Sequence, residues 1–169
     1  ASWPRSSLVD GLRRVPVWAW LVVLVLASFA VRAWLARDML GAFIMVDELI
    51  YSELGRSIAD SRELLVRDVP SPGYGIVYPA LLSPAYAAFD SLTDAYAAVK
   101  TLNSLVMSLA AIPAYFLARR VIGPWLSLLA AVLAVSIPSL VYTGTVMTEN
   151  VFYPVFLAVA LVFVLTLER

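Results

Sequence analysis

The chain has no cysteine and no histidine among its 169 residues. These absences exclude a disulfide framework, a Cys or His zinc site, and any thiolate or Ser/His nucleophile pair. Lysine is nearly missing too, with Lys100 alone against eleven arginines. Charge is sparse and balanced, 12 basic against 12 acidic residues, which argues against nucleic-acid binding and against a polybasic membrane patch. Chemistry is left to carboxylates, hydroxyls, amides, Arg and Lys, or an oxygen-bound metal. What is abundant is apolar: 62% of residues, with a mean hydropathy of +0.88. Soluble proteins use about 45–50% apolar residues, so the composition predicts a membrane protein.

A bilayer core of about 30 Å needs roughly 20 apolar helical residues. Four uncharged runs qualify: Val15 to Val31, Thr101 to Ala118, Val121 to Thr148, and Asn150 to Leu167. They predict transmembrane helices over about 15–35, 98–119, 122–143 and 150–168. In the third run, Pro138 and Gly144 predict that the far end bends or unwinds before Glu149. A fifth uncharged run, Val69 to Phe89, carries Pro70, Pro72, Pro79 and Pro84 with Gly73 and Gly75. So many breaks would leave backbone groups unpaired in lipid, so this run is expected not to span and to lie at the interface. With four spans, Arg13, Arg14, Arg119, Arg120 and Arg169 fall on one side. The positive-inside rule makes that side, and the N-terminus, cytoplasmic. The loop of about 37–97 then lies outside, with nine acids against four arginines, as does the turn around Glu149.

The first apolar run also fits a secretory signal with small residues at Ser28 and Ala30, but the spans that follow favour a retained helix. The chain begins without Met and stops at "LTLER", so it is expected to be a piece of a longer protein, read as a single module over 1–169. The expected fold class is an all-α membrane protein, with four transmembrane helices and amphipathic juxtamembrane helices in the first extracytoplasmic loop.

Chemistry concentrates where this loop begins, in "IMVDELIYSELGRSIAD", residues 44 to 60. Ile50, Leu54 and Ile58 form an i, i+4, i+8 stripe, the pattern of an amphipathic helix on the outer leaflet. Two readings of Asp47 and Glu48 compete. They can be an N-cap and a first-turn acid that complement the helix dipole. They can instead be membrane-proximal acids with a functional role. Glu149, in "VMTENVFYP", is either a first-turn acid of the fourth span or a third acid on the same face. Lys100 is either a snorkelling anchor or a cation facing those acids, and Asn103 shares its helical face. "SPGYGIVYPA" is either a turn-rich connection or a lid presenting Tyr74 and Tyr78.

Five ordered landmarks then suggest a family: an apolar helix, "DELIYSELGRSIA", "YPALLSPAYAAF", "AAVKTLNSLVMSLAAIPAYFLARRVIG" and "PSLVYTGTVMTENVFYPVFLAVAL". This order resembles the N-terminal part of GT-C glycosyltransferases of the protein O-mannosyltransferase and lipid A aminoarabinose transferase type, from about Val15 to Leu167. The resemblance implies an extracytoplasmic site in the plasma (inner) membrane that takes sugar from a polyprenyl-phosphate carrier. Asp47 matches the proposed base, Glu48 its neighbour, and Glu149 the acid opening the fourth span. Lys100 stands where many members place an Arg for the carrier phosphate, giving a point charge instead of a bidentate fork.

Chemically, such a transfer needs a carboxylate base and cationic stabilisation of the leaving phosphate. Lys100, Arg56 and Asn103 are the expected phosphate contacts, and Tyr51, Tyr74 and Tyr78 the expected substrate lining. A divalent cation held by Asp47 and Glu149 is the alternative charge source. The expected partners are membrane lipid, the carrier-linked donor, an acceptor glycan, lipid or protein, and further helices or an oligomeric partner. The competing expectation is a non-catalytic membrane module or transporter-like scaffold that binds polyprenyl lipid or a partner protein. A transport path would place ionisable groups at mid-bilayer depth, and the central parts of spans two to four carry none.

Overall fold

A computed structural model describes residues 15–39, 41, 45–71, 73–136 and 142–169. It is mostly helical. Three helices are long and apolar enough to cross a membrane: α1 (Val17–Ala36), the rod Leu92–Ala118, and a C-terminal helix, Glu149–Leu167. Between α1 and the rod lie α2 (Met45–Ser61), a two-residue antiparallel ladder of β1 (Leu65–Val66) with β2 (Val69–Pro70), and α3 (Val77–Ala88).

The rod is α4 (Leu92–Leu109) followed by α5 (Ala111–Ala118). Pro113 has no N–H to offer the Leu109 carbonyl, and the break falls at Ala110, less than one turn before it. Ser91 opens α4 by accepting the Asp94 N–H at 3.5 Å.

Next come α6 (Pro124–Ser136), a 3-10 turn (Tyr142–Gly144) and α7 (Glu149–Leu167). The sequence predicts one helix over 122–143, but the described helix is 13 residues. At 1.5 Å per residue it reaches only about 20 Å. The chain resumes in the 3-10 turn and an irregular stretch to Thr148, in keeping with the unwinding expected before Glu149; Pro138 itself lies outside the described residues. The uncharged run Val69 to Phe89 forms strand β2 and the 12-residue α3, too short to cross.

Two cores hold this together. Leu21 of α1 packs with Ala110, Ala111, Ala114 and Tyr115 of the rod and with Ala131 and Val135 of α6. The small residues let helix backbones approach closely, the packing that membrane helices favour. The second core lies at the other end of the rod, where Tyr78, Leu82 and Tyr86 of α3 meet Ala95, Val99 and Val146. Gly55 of α2 lies against α3: a Cβ there would stand 3.0 Å from the Tyr86 ring and 3.3 Å from Leu82 Cβ.

Two contacts fix the ends. Leu21 shares a core with Tyr115, and Arg120 pairs with Glu168 at 2.8 Å, so the start of α1 and the ends of α5 and α7 lie together. The residues from Pro124 to Glu149 return the chain to the opposite end, where α2 and α3 sit.

Candidate functional site

The α2–α3 end of the bundle is held by buried polar groups. Asp47 and Glu48 both occupy the first turn of α2, and a rotation of 100° per residue separates their fates. Asp47 is exposed, whereas Glu48 is 1% exposed. Glu48 Oε1 accepts the Val146 N–H at 2.9 Å and the Tyr96 hydroxyl at 3.1 Å. One acid therefore ties α2 to α4 and to the stretch before α7.

Lys100 is equally engaged. Its ammonium donates to the Ala36 carbonyl at 2.8 Å and the Met39 carbonyl at 2.6 Å, and lies 5.2 Å from the Tyr96 ring centroid. It caps the C-terminal end of α1, where carbonyls lack helical partners and the dipole favours a cation. Two of its three N–H groups are used. Lys100 also lines a cleft of about 140 Å³ between α1 and α4, shared with Ala33, Ala36, Arg37, Ala97 and Thr101.

Asn103 accepts from the Tyr78 hydroxyl at 3.2 Å and donates to the Thr145 carbonyl at 3.0 Å. Burial pushes the Tyr78 phenol above its ordinary range, and the Asn103 bond opposes that shift in part. Tyr78 therefore stays protonated and can donate. Tyr51 meets both Tyr74 and Tyr78 edge to face, at 5.9 and 5.5 Å between ring centroids. The three tyrosines expected to line a site do come together, although Tyr78 is buried by this packing.

Two expected residues stand apart. Arg56 pairs with Glu53 at 3.1 Å on α2, in a separate cleft shared with the hairpin. Glu149 is half-buried at the start of α7, where the Thr148 hydroxyl donates to its Oε2 at 3.4 Å. No three His, Cys, Asp or Glu side chains among the described residues converge as metal ligands.

Sequence reasoning passed over three residues. Arg32, just past the first uncharged run but inside the span expected over 15–35, is fully buried and donates to Ser28 Oγ at 3.2 Å and to the Val135 carbonyl in the last turn of α6. Asn150 Nδ2 donates to the carbonyls of Tyr142, Thr145 and Met147 at 2.9, 3.0 and 3.1 Å, organising the irregular stretch. Tyr96 links Glu48 to Lys100. The available signal for Arg32 was a lone charge within an apolar span, which has to find a partner inside the bundle.

A third cleft, about 180 Å³, opens beside Glu48 between α2 and α4, lined by Gly41, Leu49, Ser52, Leu92, Thr93 and Tyr96. An acid-floored cleft and a cation-lined cleft thus lie near each other on α4, with Tyr96 bonded to Glu48 and packed by Lys100. The chain matches no protein-family model, no curated protein and no solved structure.

Proposed function

We propose that this chain is a membrane module of a GT-C-type glycosyltransferase, transferring sugar from a polyprenyl-phosphate carrier to an acceptor at the extracytoplasmic face. The observation that carries the reading is the cleft between α1 and α4, lined by Arg37 just past the end of α1 and by Lys100 about two turns into α4. Two cations that line one cleft between two spans suit a lipid phosphate whose chain lies along the apolar helices. Lys100 keeps one ammonium N–H without a partner among the described residues. Arg37 replaces Arg56 as the second phosphate contact, because Arg56 lines a different cleft. Asn103 drops out of that role, since its amide already holds Tyr78 and Thr145.

In this reading the module crosses the membrane four times. The fourth crossing is the short α6 with the irregular stretch to Thr148, whose backbone is tolerated because protein buries it. Arg119, Arg120 and Arg169 face the cytoplasm. The acceptor hydroxyl or amine gives its proton to the exposed Asp47 carboxylate and attacks the anomeric carbon. The bond from that carbon to the phosphate oxygen breaks, and the phosphate leaves with its charge met by Lys100 and Arg37. A single displacement inverts the anomeric centre. Glu48 is a positioning residue that fixes the first turn of α2, on which Asp47 sits.

A second reading has its own support. Glu48, Lys100 and Asn103 all spend hydrogen bonds on backbone atoms, as they would in a module that binds polyprenyl lipid without catalysing transfer. One experiment separates the two. The chain in nanodiscs is given a radiolabelled polyprenyl-phosphate hexose, and both retention of the lipid and release of sugar to acceptor or water are measured. Turnover that Asp47→Asn abolishes supports transfer with Asp47 as base, and turnover at the wild-type rate in that variant removes the base assignment. Retention without turnover favours the binding module. Retention unaffected by Arg37→Gln overturns the cleft.

A further inference from the structure

Charge is dense in one short stretch of the chain. Between Glu53 and Asp68 lie seven ionisable residues, in a chain that is 14% charged overall. The structure folds this stretch around an open cleft of about 170 Å³ between the C-terminal half of α2 and the β1–β2 hairpin. Glu53, Arg56, Asp60, Arg67 and Asp68 line it, with Leu65 as the apolar wall.

The cleft is preformed. Ser57 Oγ donates to the Glu63 carbonyl at 2.8 Å and accepts the Leu65 N–H at 3.2 Å, which pins the hairpin to α2. The Ser71 N–H reaches the Leu64 carbonyl at 2.9 Å and closes the ladder. Arg67 and Asp68 form the hairpin turn with φ of 50° and 64°, which sets both side chains on the rim.

Its charges are only partly spent on one another. Arg56 pairs with Glu53, but the side chains of Asp60, Arg67 and Asp68 make no hydrogen bond or ion pair with any described residue. Opposite charges that share a preformed cleft without pairing are available to a ligand. The chemistry narrows what that ligand is. Three acids against two arginines leave little net field, so neither a phosphate nor a polyamine is strongly drawn in. The acids do not converge as metal ligands. A neutral ligand that both donates and accepts satisfies every group: neighbouring hydroxyls give protons to the Asp60 and Asp68 carboxylates, and a ring or hydroxyl oxygen accepts from Arg67.

From this we propose that the α2–hairpin cleft is a saccharide site, holding a hexose unit of a neutral glycan, with the Leu65 side chain against one face of the ring. The site is separate from the Arg37–Lys100 cleft and stands whether or not Asp47 is a base. Because charged groups must give up bound water and no aromatic ring among the described residues lines the cleft, binding is expected in the millimolar range.

The test is a saturation-transfer NMR titration of the chain in nanodiscs with mannotriose, maltotriose and chitotriose. At least one should bind saturably. The double substitution Asp60→Asn with Asp68→Asn, and separately Arg67→Gln, should each weaken it about tenfold or more. Asp90→Asn, at an exposed acid that lines none of these clefts, should leave binding unchanged. Thermal melting followed by circular dichroism checks that the variants stay folded, which is expected because all three altered side chains are exposed. Failure of all three sugars to bind, or binding that the cleft variants do not weaken, overturns the proposal. So does binding of spermidine or magnesium in the cleft without any saccharide.

Discussion

At the residue scale, the adjacent acids Asp47 and Glu48 divide their work. The sequence shows the pair and its place at a helix start, but not which member turns inward, because that depends on where α4 and Val146 lie. Glu48 carries the larger structural role. Glu48→Ala should leave the Val146 N–H and the Tyr96 hydroxyl without their acceptor and lower unfolding stability by about 2–3 kcal/mol. Asp47→Asn should move the melting temperature by no more than about 2 °C, since its side chain is exposed. Denaturation of both variants in the same detergent checks the contrast; equal losses would mean the two acids share one role.

The tyrosines of α3 add a pH dependence. Burial raises the pKa of Tyr78 and, mainly for the same reason, that of Tyr86, whose bond to Ser52 at 2.6 Å opposes the shift. A phenol that binds its proton more tightly when folded contributes stability that is complete below the unfolded pKa of about 10 and is lost as pH rises beyond it. The melting temperature should therefore hold from pH 7 to 9 and fall above about pH 10. Substituting Phe at both positions should lower stability at neutral pH yet flatten the alkaline decline. An unchanged alkaline slope in that double variant would place the titrating groups elsewhere.

At the element scale, the long helices were legible because hydropathy and length suffice to find them, and their ends fell within a few residues of expectation, apart from the α4 start six residues early. The stripe Ile50, Leu54 and Ile58 was legible only in part: Leu54 is fully buried, but the other two are half-buried. The hairpin was not legible, because its turn is Arg67–Asp68 and lacks the glycine or asparagine that usually marks a left-handed turn. The glycine that matters sits instead inside a helix. Gly55 lets α2 approach α3 until Tyr86 fills the space where a side chain would begin. A branched residue there has to push the ring away and break the Ser52–Tyr86 bond. Gly55→Val should therefore cost about 1–3 kcal/mol despite removing a helix glycine, as a denaturant titration would show. Arg32 is the counterpart at the end of α6. Arg32→Leu should leave the Val135 carbonyl unpaired in an apolar setting and destabilise the fold by about 1–3 kcal/mol.

At the scale of the whole molecule, the question is which end faces which side of a membrane. The arrangement of ends follows from contacts: Arg120 with Glu168 at one end, Glu48 with Val146 and Lys100 with Ala36 at the other. The sidedness rests on arginine placement, and the absence of cysteine makes it directly measurable. A single cysteine placed at Arg62 or Asp90, both exposed near the α2–α3 end, would be the only thiol in the chain. So would one at Val121, which is 87% exposed at the opposite end. With a membrane-impermeant maleimide on intact cells, the first two should label at once, and Val121→Cys only after permeabilisation. Because Val146 bonds Glu48 at the α2–α3 end, that pattern requires the chain to cross between Val121 and Val146. Labelling of all three from outside would mean that the rod Leu92–Ala118, the segment between Asp90 and Val121, does not cross. Lys100 sits on that rod, so the reading of the Arg37–Lys100 cleft as a lipid-phosphate site at a membrane face would fall with the crossing.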